Sequence, residues 1–456
     1  MGHSLPDKAS CGQFVMPPGA SLADGLTEDE AISIALWNNA AFQELLADLG
    51  IARGDLITAG LLPNPEFVYY WGTPEKPFKY LFDFPIEALW LRPIRIKSAA
   101  READRTSERL TQAGLDLIRD VRQAYADVQL ARERLRIAGE GVRLRGRIAE
   151  LAEKRLAAGD IAPQEAATAR IDALQAQQDA ARIGYEIPVA EERLRNLLGL
   201  GLLREPLTLD PAPPPACVAF DVDALIRDAV ATRPDAVATN EAVAAAEARV
   251  TFARLGWVRL LGIGDATSGR TAGHEFSPAL RFTVPIFNQN QGNVARAEAE
   301  LERAVRNRQT VTNQIILDVQ RANLQFQQAC AELEVLRVRV RPEVEAAIRR
   351  AQRAYQEGNV NYLIVLETTR QLLDSYLREA QLHGDLRRTY AELERSTGRR
   401  LAVPPMAAQP APKIEEPPAK PEPMAILPTA AAMPVKPPTA RPVEPGVMWT
   451  GVRGKP

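Results

Sequence analysis

Residues 354–362 of this chain read Ala-Tyr-Gln-Glu-Gly-Asn-Val-Asn-Tyr and separate two long helical patterns. A similar break occurs earlier, where residues 155–163 read Arg-Leu-Ala-Ala-Gly-Asp-Ile-Ala-Pro. The central glycines of the two breaks, Gly159 and Gly358, are 199 positions apart, and the same offset places Leu194 on Leu393. A recurring offset indicates that a whole segment is duplicated. The sequence therefore predicts two copies of one helical hairpin.

Each copy carries two strand patterns ahead of its hairpin. We predict strands at about residues 65–72 and 78–87 in the first copy and at about 256–266 and 277–287 in the second. Aromatic and β-branched residues alternate there between turn residues, which is typical of strands. An isolated two-stranded hairpin is marginal in water, and four strands are too few to enclose a lumen. Association of several chains would solve both problems.

The helical hairpins are predicted at about residues 97–198 and 292–397, where apolar residues recur at spacings of three and four. Sustained heptads indicate a coiled coil, and about 60 helical residues extend over roughly 90 Å. Pro188 predicts a local break in the first return helix, because proline interrupts helical hydrogen bonding. Thr27 with Glu30 three residues later predicts a capping box that begins the first short helix.

These patterns divide the chain into five segments. We predict a flexible N-terminal segment (1–25), a first repeat (26–205), a Pro-rich linker (206–219), a second repeat (220–400) and a Pro/Ala-rich tail (401–456). The tail has few branched apolar residues and cannot bury enough surface to offset the entropy of ordering, so we expect it to be disordered.

Composition excludes several classes of function. The 456 residues carry a net charge of -2 without a basic block, so no nucleic-acid partner is expected. Neither the three histidines nor the three cysteines (Cys11, Cys217 and Cys330) have the spacing of metal ligands, and no catalytic constellation is evident. We predict no metal site, no cofactor and no enzymatic activity. Cys330 is interpreted as a small helix residue, and Cys217 lies in the linker.

The N-terminus of the sequence shows no targeting signal. Residues 1–8 show neither a basic nor an apolar region of a secretory signal, and no run of about 18 apolar residues predicts a membrane-spanning helix. Either the protein stays in the cytoplasm or its true start lies upstream. We favour the upstream start, for the reason given next.

The repeated unit of helix, β-hairpin, long helix, Gly-centred turn and return helix resembles the TolC family of bacterial outer membrane efflux channels. The resemblance covers residues 26–400, and its most specific motifs are residues 358–367 and the strand exit at 282–287. The first strand exit, Phe84-Pro85-Ile86 followed by Arg95 and Lys97, is similar to the heavy-metal-resistance branch. The resemblance implies a mostly helical α+β trimer, in which an outer-membrane β-barrel continues as an α-helical periplasmic tunnel.

The same resemblance implies the function. The chain would be the outer membrane channel component of a tripartite efflux or secretion system, a passive export duct for small molecules or metal ions. Its implied partners are two further copies in a homotrimer, a periplasmic adaptor (membrane fusion) protein, an inner-membrane pump and outer membrane lipid. The implied location is the bacterial outer membrane, extending into the periplasm.

Candidate site residues follow from the family motifs. The resemblance places adaptor-docking tips at the two breaks (Ala158, Gly159, Asp160, Ile161, Glu357, Gly358, Asn359 and Val360). It places a periplasmic gate at Glu367 and Ile364, where a ring of carboxylates would favour cations. Cys11 is a candidate lipid anchor, as in some relatives, although no lipobox precedes it. Two simpler interpretations stay open: the glycines as helix C-caps, which is compatible with docking, and Glu367 as a solvated surface charge.

An alternative function is a soluble elongated coiled-coil scaffold without transport activity. The heptads and the lack of a visible signal motivate it. Four aromatic-rich alternating segments argue against it, because a scaffold has no use for them.

Overall fold

The computed structural model describes residues 14–22, 25–73, 78–201, 207–210, 213–256, 260–269, 273–282, 284, 286–357, 359–360 and 362–406. None of the helices in these ranges carries an apolar stretch long enough to cross a membrane.

Within its described residues, the first repeat contains five helices and two strands. Its elements are α1 (Glu28–Asn38), α2 (Ala40–Gly60), β1 (Glu66–Tyr70), β2 (Phe78–Pro85), α3 (Glu87–Ala157), α4 (Pro163–Gly184) and α5 (Glu186–Leu197). The predicted capping box is confirmed at α1, where the Thr27 hydroxyl accepts from the Glu30 backbone N–H and the Glu30 carboxylate accepts from the Thr27 N–H. With 71 residues, α3 extends over about 105 Å.

The second repeat follows the same order. Its elements are α6 (Val222–Thr232), α7 (Pro234–Leu255), β3 (Leu260–Gly269), β4 (Gly273–Phe282), α8 (Gln291–Val335), a π turn (Leu336–Val340), α9 (Arg341–Gln356) and α10 (Tyr362–Thr397). Gly199 and Gly398, which end the two return helices, adopt φ values of 71° and 72°. The predicted duplication is thus visible in backbone conformation as well as in sequence.

The four strands form one antiparallel sheet in the order β1-β2-β3-β4. The two hairpins meet between β2 and β3, whose register runs from Phe78 opposite Ser268 to Pro85 opposite Leu261. The sheet therefore joins the two repeats, and β1 and β4 are its edges.

The second hairpin is shorter and tighter than the sequence predicted. The strands predicted at 256–266 and 277–287 lie at 260–269 and 273–282, and the three residues between them, 270–272, lie outside the described ranges. Gly273, at the strand end, has a φ of 69°, which glycine adopts without strain. Pro278 is accommodated within β4 because an edge strand leaves one side of its backbone unpaired.

Prolines accompany three further features of the helices. The helix α3 begins at Glu87 rather than near residue 97 and includes Pro93, and Ala88 and Leu91 are buried in its first turns. The break predicted at Pro188 occurs at Tyr185, next to Gly184, whose carbonyl the ring of Pro188 would contact in a continuous helix. The sequence did not predict the π turn. Pro342 has a similar local effect there, because in a continuous α-helix its ring would contact the carbonyl of Val338, which lies within the π turn.

The buried core repeats with the chain. In the first repeat, Tyr125 and Leu194 belong to a cluster that joins α1, α3 and α5. In the second, Leu393 belongs to the matching cluster of α6, α8 and α10. Ion pairs link the repeats, since Arg122 pairs with Glu28 and Glu394, and Arg395 pairs with Asp116 at 2.7 Å. This junction holds both long hairpins in one body.

Candidate functional site

One face of the sheet is apolar and aromatic. Side chains alternate between the faces of a strand, so the register places every second residue of β2, namely Phe78, Tyr80, Phe82 and Phe84, on this face. On β4 the same face carries Phe276, Leu280 and Phe282, which are 71%, 64% and 68% exposed. Small residues of β3 lie between them, and the Phe276 ring lies 3.4 Å from the position that a Cβ at Gly264 would take. An exposed aromatic face of this extent fits contact with lipid.

The opposite face of the sheet is polar. It carries four carboxylates and two cationic side chains: Glu66, Asp83, Asp265, Glu275, Lys79 and Arg281. Lys79 and Asp265 form an ion pair at 2.8 Å across β2 and β3. Alternation of an apolar face with a charged face is typical of strands that separate lipid from water.

A Gly-centred cap ends the long helix α3 of the first hairpin, and the second hairpin has an equivalent backbone bond. Gly159 has a φ of 82°, its N–H donates to the Leu156 carbonyl, and the Asp160 N–H donates to the Arg155 carbonyl at 2.9 Å. This pattern is a Schellman cap, so the prediction of a C-cap at Gly159 is confirmed. In the second hairpin the Asn359 N–H donates to the Ala354 carbonyl at 2.8 Å, which is the equivalent bond. Gly358 itself lies outside the described residues.

The two hairpin ends lie side by side. Ile161 and Val360, one from each predicted tip, pack against a single buried cluster that includes Ala152 and Val365. The Arg155 guanidinium lies 4.8 Å from the centre of the Tyr355 ring and donates to the Tyr355 carbonyl at 3.2 Å. Burial raises the pKa of Tyr355. The structure therefore brings the predicted tip residues of both repeats to one end, through contacts that the sequence did not reveal.

The predicted gate residues share one face of α10. Ile364 is 47% exposed, and Glu367 is exposed one turn further along the helix. The Glu367 carboxylate accepts a hydrogen bond from the Gln371 amide at 3.2 Å. Arg370, on the neighbouring turn, lies 3.9 Å from the buried carboxylate of Asp172 on α4. Glu367 therefore presents a solvent-accessible carboxylate about 7.5 Å of helix from the start of α10 at Tyr362.

Two cysteines that lie far apart in the sequence form a disulfide. Cys217 and Cys330 are bonded, with their Cα atoms 5.7 Å apart, although 113 positions separate them. The interpretation of Cys330 as merely a small helix residue is therefore wrong. Only the tertiary structure brings the linker onto α8, so spacing in the sequence carried no signal for this bond. Disulfides persist in oxidising compartments such as the bacterial periplasm.

Arg337 organises a polar cluster on the π turn, seven residues beyond Cys330. Arg337 donates to the Glu379 carboxylate at 2.8 Å, to His383 Nε2 at 2.9 Å and to Met406 Sδ at 3.0 Å. Arg341 donates to the second oxygen of Glu379 at 2.9 Å. Burial alone would raise the pKa of Glu379, but these two guanidinium groups outweigh it and lower that pKa. Burial and the Arg337 charge lower the pKa of His383.

Over the ranges that the structure describes, no group of three or more His, Cys, Asp or Glu side chains is arranged to hold a metal ion. Cys11 lies outside these ranges, so its role as a lipid anchor stays a prediction. Residues 74–77 and the part of the predicted tail beyond residue 406 also lie outside them.

Known proteins share this architecture. The family model "Outer membrane efflux protein" matches residues 91–200 and 225–399, more than half of the chain. The cobalt-zinc-cadmium resistance protein CzcC of Cupriavidus metallidurans is 25% identical over 394 residues, which cover 83% of this chain and 91% of CzcC. The cation efflux system protein CusC of Escherichia coli is 27% identical over 273 residues, covering 56% of this chain and 58% of CusC. The solved outer-membrane channel OprN superposes with a TM-score of 0.71 at 19% identity, covering 87% of this chain and 98% of OprN.

A two-faced antiparallel sheet that continues into paired helical hairpins defines the TolC-like class of outer-membrane channels. The chain belongs to the outer membrane efflux protein family. The predictions of family, fold class, outer membrane location and efflux channel function are confirmed. The similarity to CzcC and CusC supports the predicted heavy-metal branch, which stays a prediction. Nothing supports the alternative of a soluble scaffold. Channels of this family work as trimers with adaptor proteins and inner-membrane pumps.

Proposed function

We propose that three copies of this chain close one barrel in the outer membrane, with β4 of each copy pairing with β1 of the next. The observation that carries this proposal is the two-faced sheet, whose edges β1 and β4 lie at its two ends. The apolar face then contacts lipid, and the face with Glu66, Lys79 and Asp83 lines the lumen. Closure satisfies the edge backbone groups, which cannot stay unpaired in hydrocarbon.

The direction of the strands supports this closure. Because the sheet has four antiparallel strands, its edges β1 and β4 run in opposite directions. Pairing between copies is therefore also antiparallel, and three copies give about 12 strands, an even number as in other bacterial outer-membrane barrels.

The helical hairpins form the periplasmic duct, and their tips receive the adaptor. Ile161 of the first tip and Val360 of the second pack against one buried cluster, and the exposed residues Asp160, Glu357 and Asn359 lie near them in the chain. A single partner surface can then contact both repeats at once, together with Ala158, Gly159 and Gly358.

Glu367 and Ile364 form the periplasmic constriction of this duct. Glu367 is exposed in one chain, so three copies around an axis can place three carboxylates in a narrow ring. Such a ring favours cations and resists closer approach through like-charge repulsion. Ile364 on the same face adds an apolar ring one turn nearer the tip.

The exported cargo is a metal cation. Support comes from the names of CzcC, a cobalt-zinc-cadmium resistance protein, and CusC, a cation efflux protein. The carboxylates on the polar face of the sheet and at Glu367 suit cations better than anions.

Metal tolerance tests this function. A strain that lacks the gene but keeps the cognate adaptor and pump is grown with increasing cobalt, zinc, cadmium or copper, with and without the gene restored. Val360→Asp places a charge in the packed tip and should abolish tolerance. Asn293→Asp serves as the control and should retain tolerance, because Asn293 is exposed in the first turn of α8, more than 60 residues before the tip in the chain. Equal metal sensitivity with and without the wild-type gene would reject the metal cargo.

A further inference from the structure

The disulfide attaches two irregular segments to the second helical hairpin. We call residues 213–220 the connecting segment and residues 401–406 the C-terminal segment. They pair with one another, since the Ala216 N–H donates to the Pro404 carbonyl at 3.0 Å and the Met406 N–H donates to the Pro214 carbonyl at 2.9 Å. The bonds between the segments involve backbone alone, so they do not by themselves hold the pair on a helix.

Side chains supply the attachment to the helices. The Cys217–Cys330 bond joins the connecting segment to α8, and the Phe220 ring lies 5.9 Å from the Phe326 ring of the same helix. Arg337 contacts Met406 of the C-terminal segment, and at the other end of that segment the Tyr390 hydroxyl donates to the Leu401 carbonyl. The disulfide is the covalent member of this set.

The disulfide is also accessible. Cys217 is exposed, while Cys330 is half-buried against a cluster of α8 and α10 side chains. Exposed disulfides are more readily attacked by thiolates than buried ones, and the labile or regulatory disulfides belong to this class.

We propose that the Cys217–Cys330 disulfide is a reducible clasp that holds the connecting and C-terminal segments on α8, and that a dithiol reductant opens it. One thiolate of the dithiol attacks the Cys217 sulfur, breaks the S–S bond and releases the Cys330 thiolate. The second thiol displaces Cys217 and closes a disulfide within the reductant. The two electrons come from the dithiol, and its two protons end on Cys217 and Cys330.

Opening the clasp changes the contacts of Arg337 on the π turn. The C-terminal segment contacts Arg337, which also binds Glu379 and His383, so release of the segment removes one of the three partners of that guanidinium. Reduction is therefore expected to mobilise these two segments while the paired hairpin tips stay packed. The clasp does not depend on the proposed cargo or gate.

Limited proteolysis of the purified full-length protein tests the clasp. Elastase cleaves after small aliphatic residues, which occur in both segments (Ala216, Val218, Ala402) and at the tips (Ala158, Val360). Mass spectrometry of the oxidised protein should find the cross-linked Cys217–Cys330 peptides. Adding dithiothreitol should then raise the cleavage rate in both segments by about tenfold or more, since a bond that closes so long a loop contributes substantially to stability. Cleavage at the tips should be unchanged.

The double variant Cys217→Ser/Cys330→Ser is the matched control. It should be cleaved in the two segments as rapidly as the reduced protein, and dithiothreitol should have no further effect on it. Should this variant fail to fold, reduction of the folded wild-type protein still decides the matter. Absence of the cross-linked peptides, equal cleavage with and without reductant, or an equal rise in cleavage at the tips would each overturn the clasp.

Discussion

At the scale of single residues, a glycine cap and a carboxylate define the periplasmic end of the proposed duct. Gly159 adopts a left-handed conformation in an open environment, with no atom within 4 Å of the position that a Cβ would take. The cap therefore depends on backbone conformation and not on close packing. The proposed gate role of Glu367, by contrast, depends on the exposure and the charge of its side chain.

Gly159→Ala should lower stability by about 1 kcal/mol, because an alanine is strained at positive φ. Gly146→Ala is the matched control, since this glycine lies inside α3 and also has no atom within 4 Å of a Cβ position. It should raise stability by about 1 kcal/mol, as alanine favours the helix. Thermal unfolding of the two variants checks both signs, and destabilisation of similar size in both would refute the role of the cap.

Glu367→Ala should increase single-channel conductance or reduce cation preference in planar bilayers, because three carboxylates leave the constriction. Glu367→Gln separates charge from size and should reproduce the change in cation preference. Unchanged conductance and selectivity in both variants would remove Glu367 from the gate.

At the scale of elements, the sequence revealed features that have a local cause better than features that depend on long-range contacts. The box at Thr27, the cap at Gly159 and the break before Pro188 each depend on residues within about four positions, so the sequence revealed them. The π turn also has a local cause in Pro342, but a proline does not specify which local distortion follows. The Cys217–Cys330 bond and the Arg155–Tyr355 contact join distant positions, so they depend on how the hairpins pack.

The polar cluster on the π turn predicts a response to pH. Burial and Arg337 lower the pKa of His383, with Arg387 acting in the same direction and Glu379 and Glu133 opposing it. The unfolded chain therefore takes up a proton more readily than the folded protein as pH falls below about 6.5. Stability should decrease from that pH down to the lowered pKa of the folded state.

His383→Gln tests this response, because glutamine can accept the hydrogen bond from Arg337 without titrating. The melting temperature of the variant should vary less than that of the wild type between pH 7.5 and 5.5. The same pH dependence in both proteins would exclude His383 as its source.

At the scale of the whole molecule, each chain contributes one sheet and two helical hairpins to the proposed closed trimer. The sequence predicted the repeat unit and its family, because duplicated motifs and alternating strands are visible without a structure. It did not predict which strands form the edges, since that order depends on how the two β-hairpins pair.

Cross-linking of the sheet edges in intact cells tests the central claim most directly. Cysteines are placed on the polar face of β1 at Val68 and of β4 at Ser277 or Ala279, with Cys11 replaced by serine and the Cys217–Cys330 disulfide retained. After mild oxidation, a denaturing non-reducing gel of the outer membrane fraction should show covalent dimers and trimers, with nothing larger, for at least one β1–β4 pair. Single-cysteine variants should stay monomeric. Absence of cross-links for every pair, or a ladder that continues beyond three chains, would contradict the closed trimeric channel.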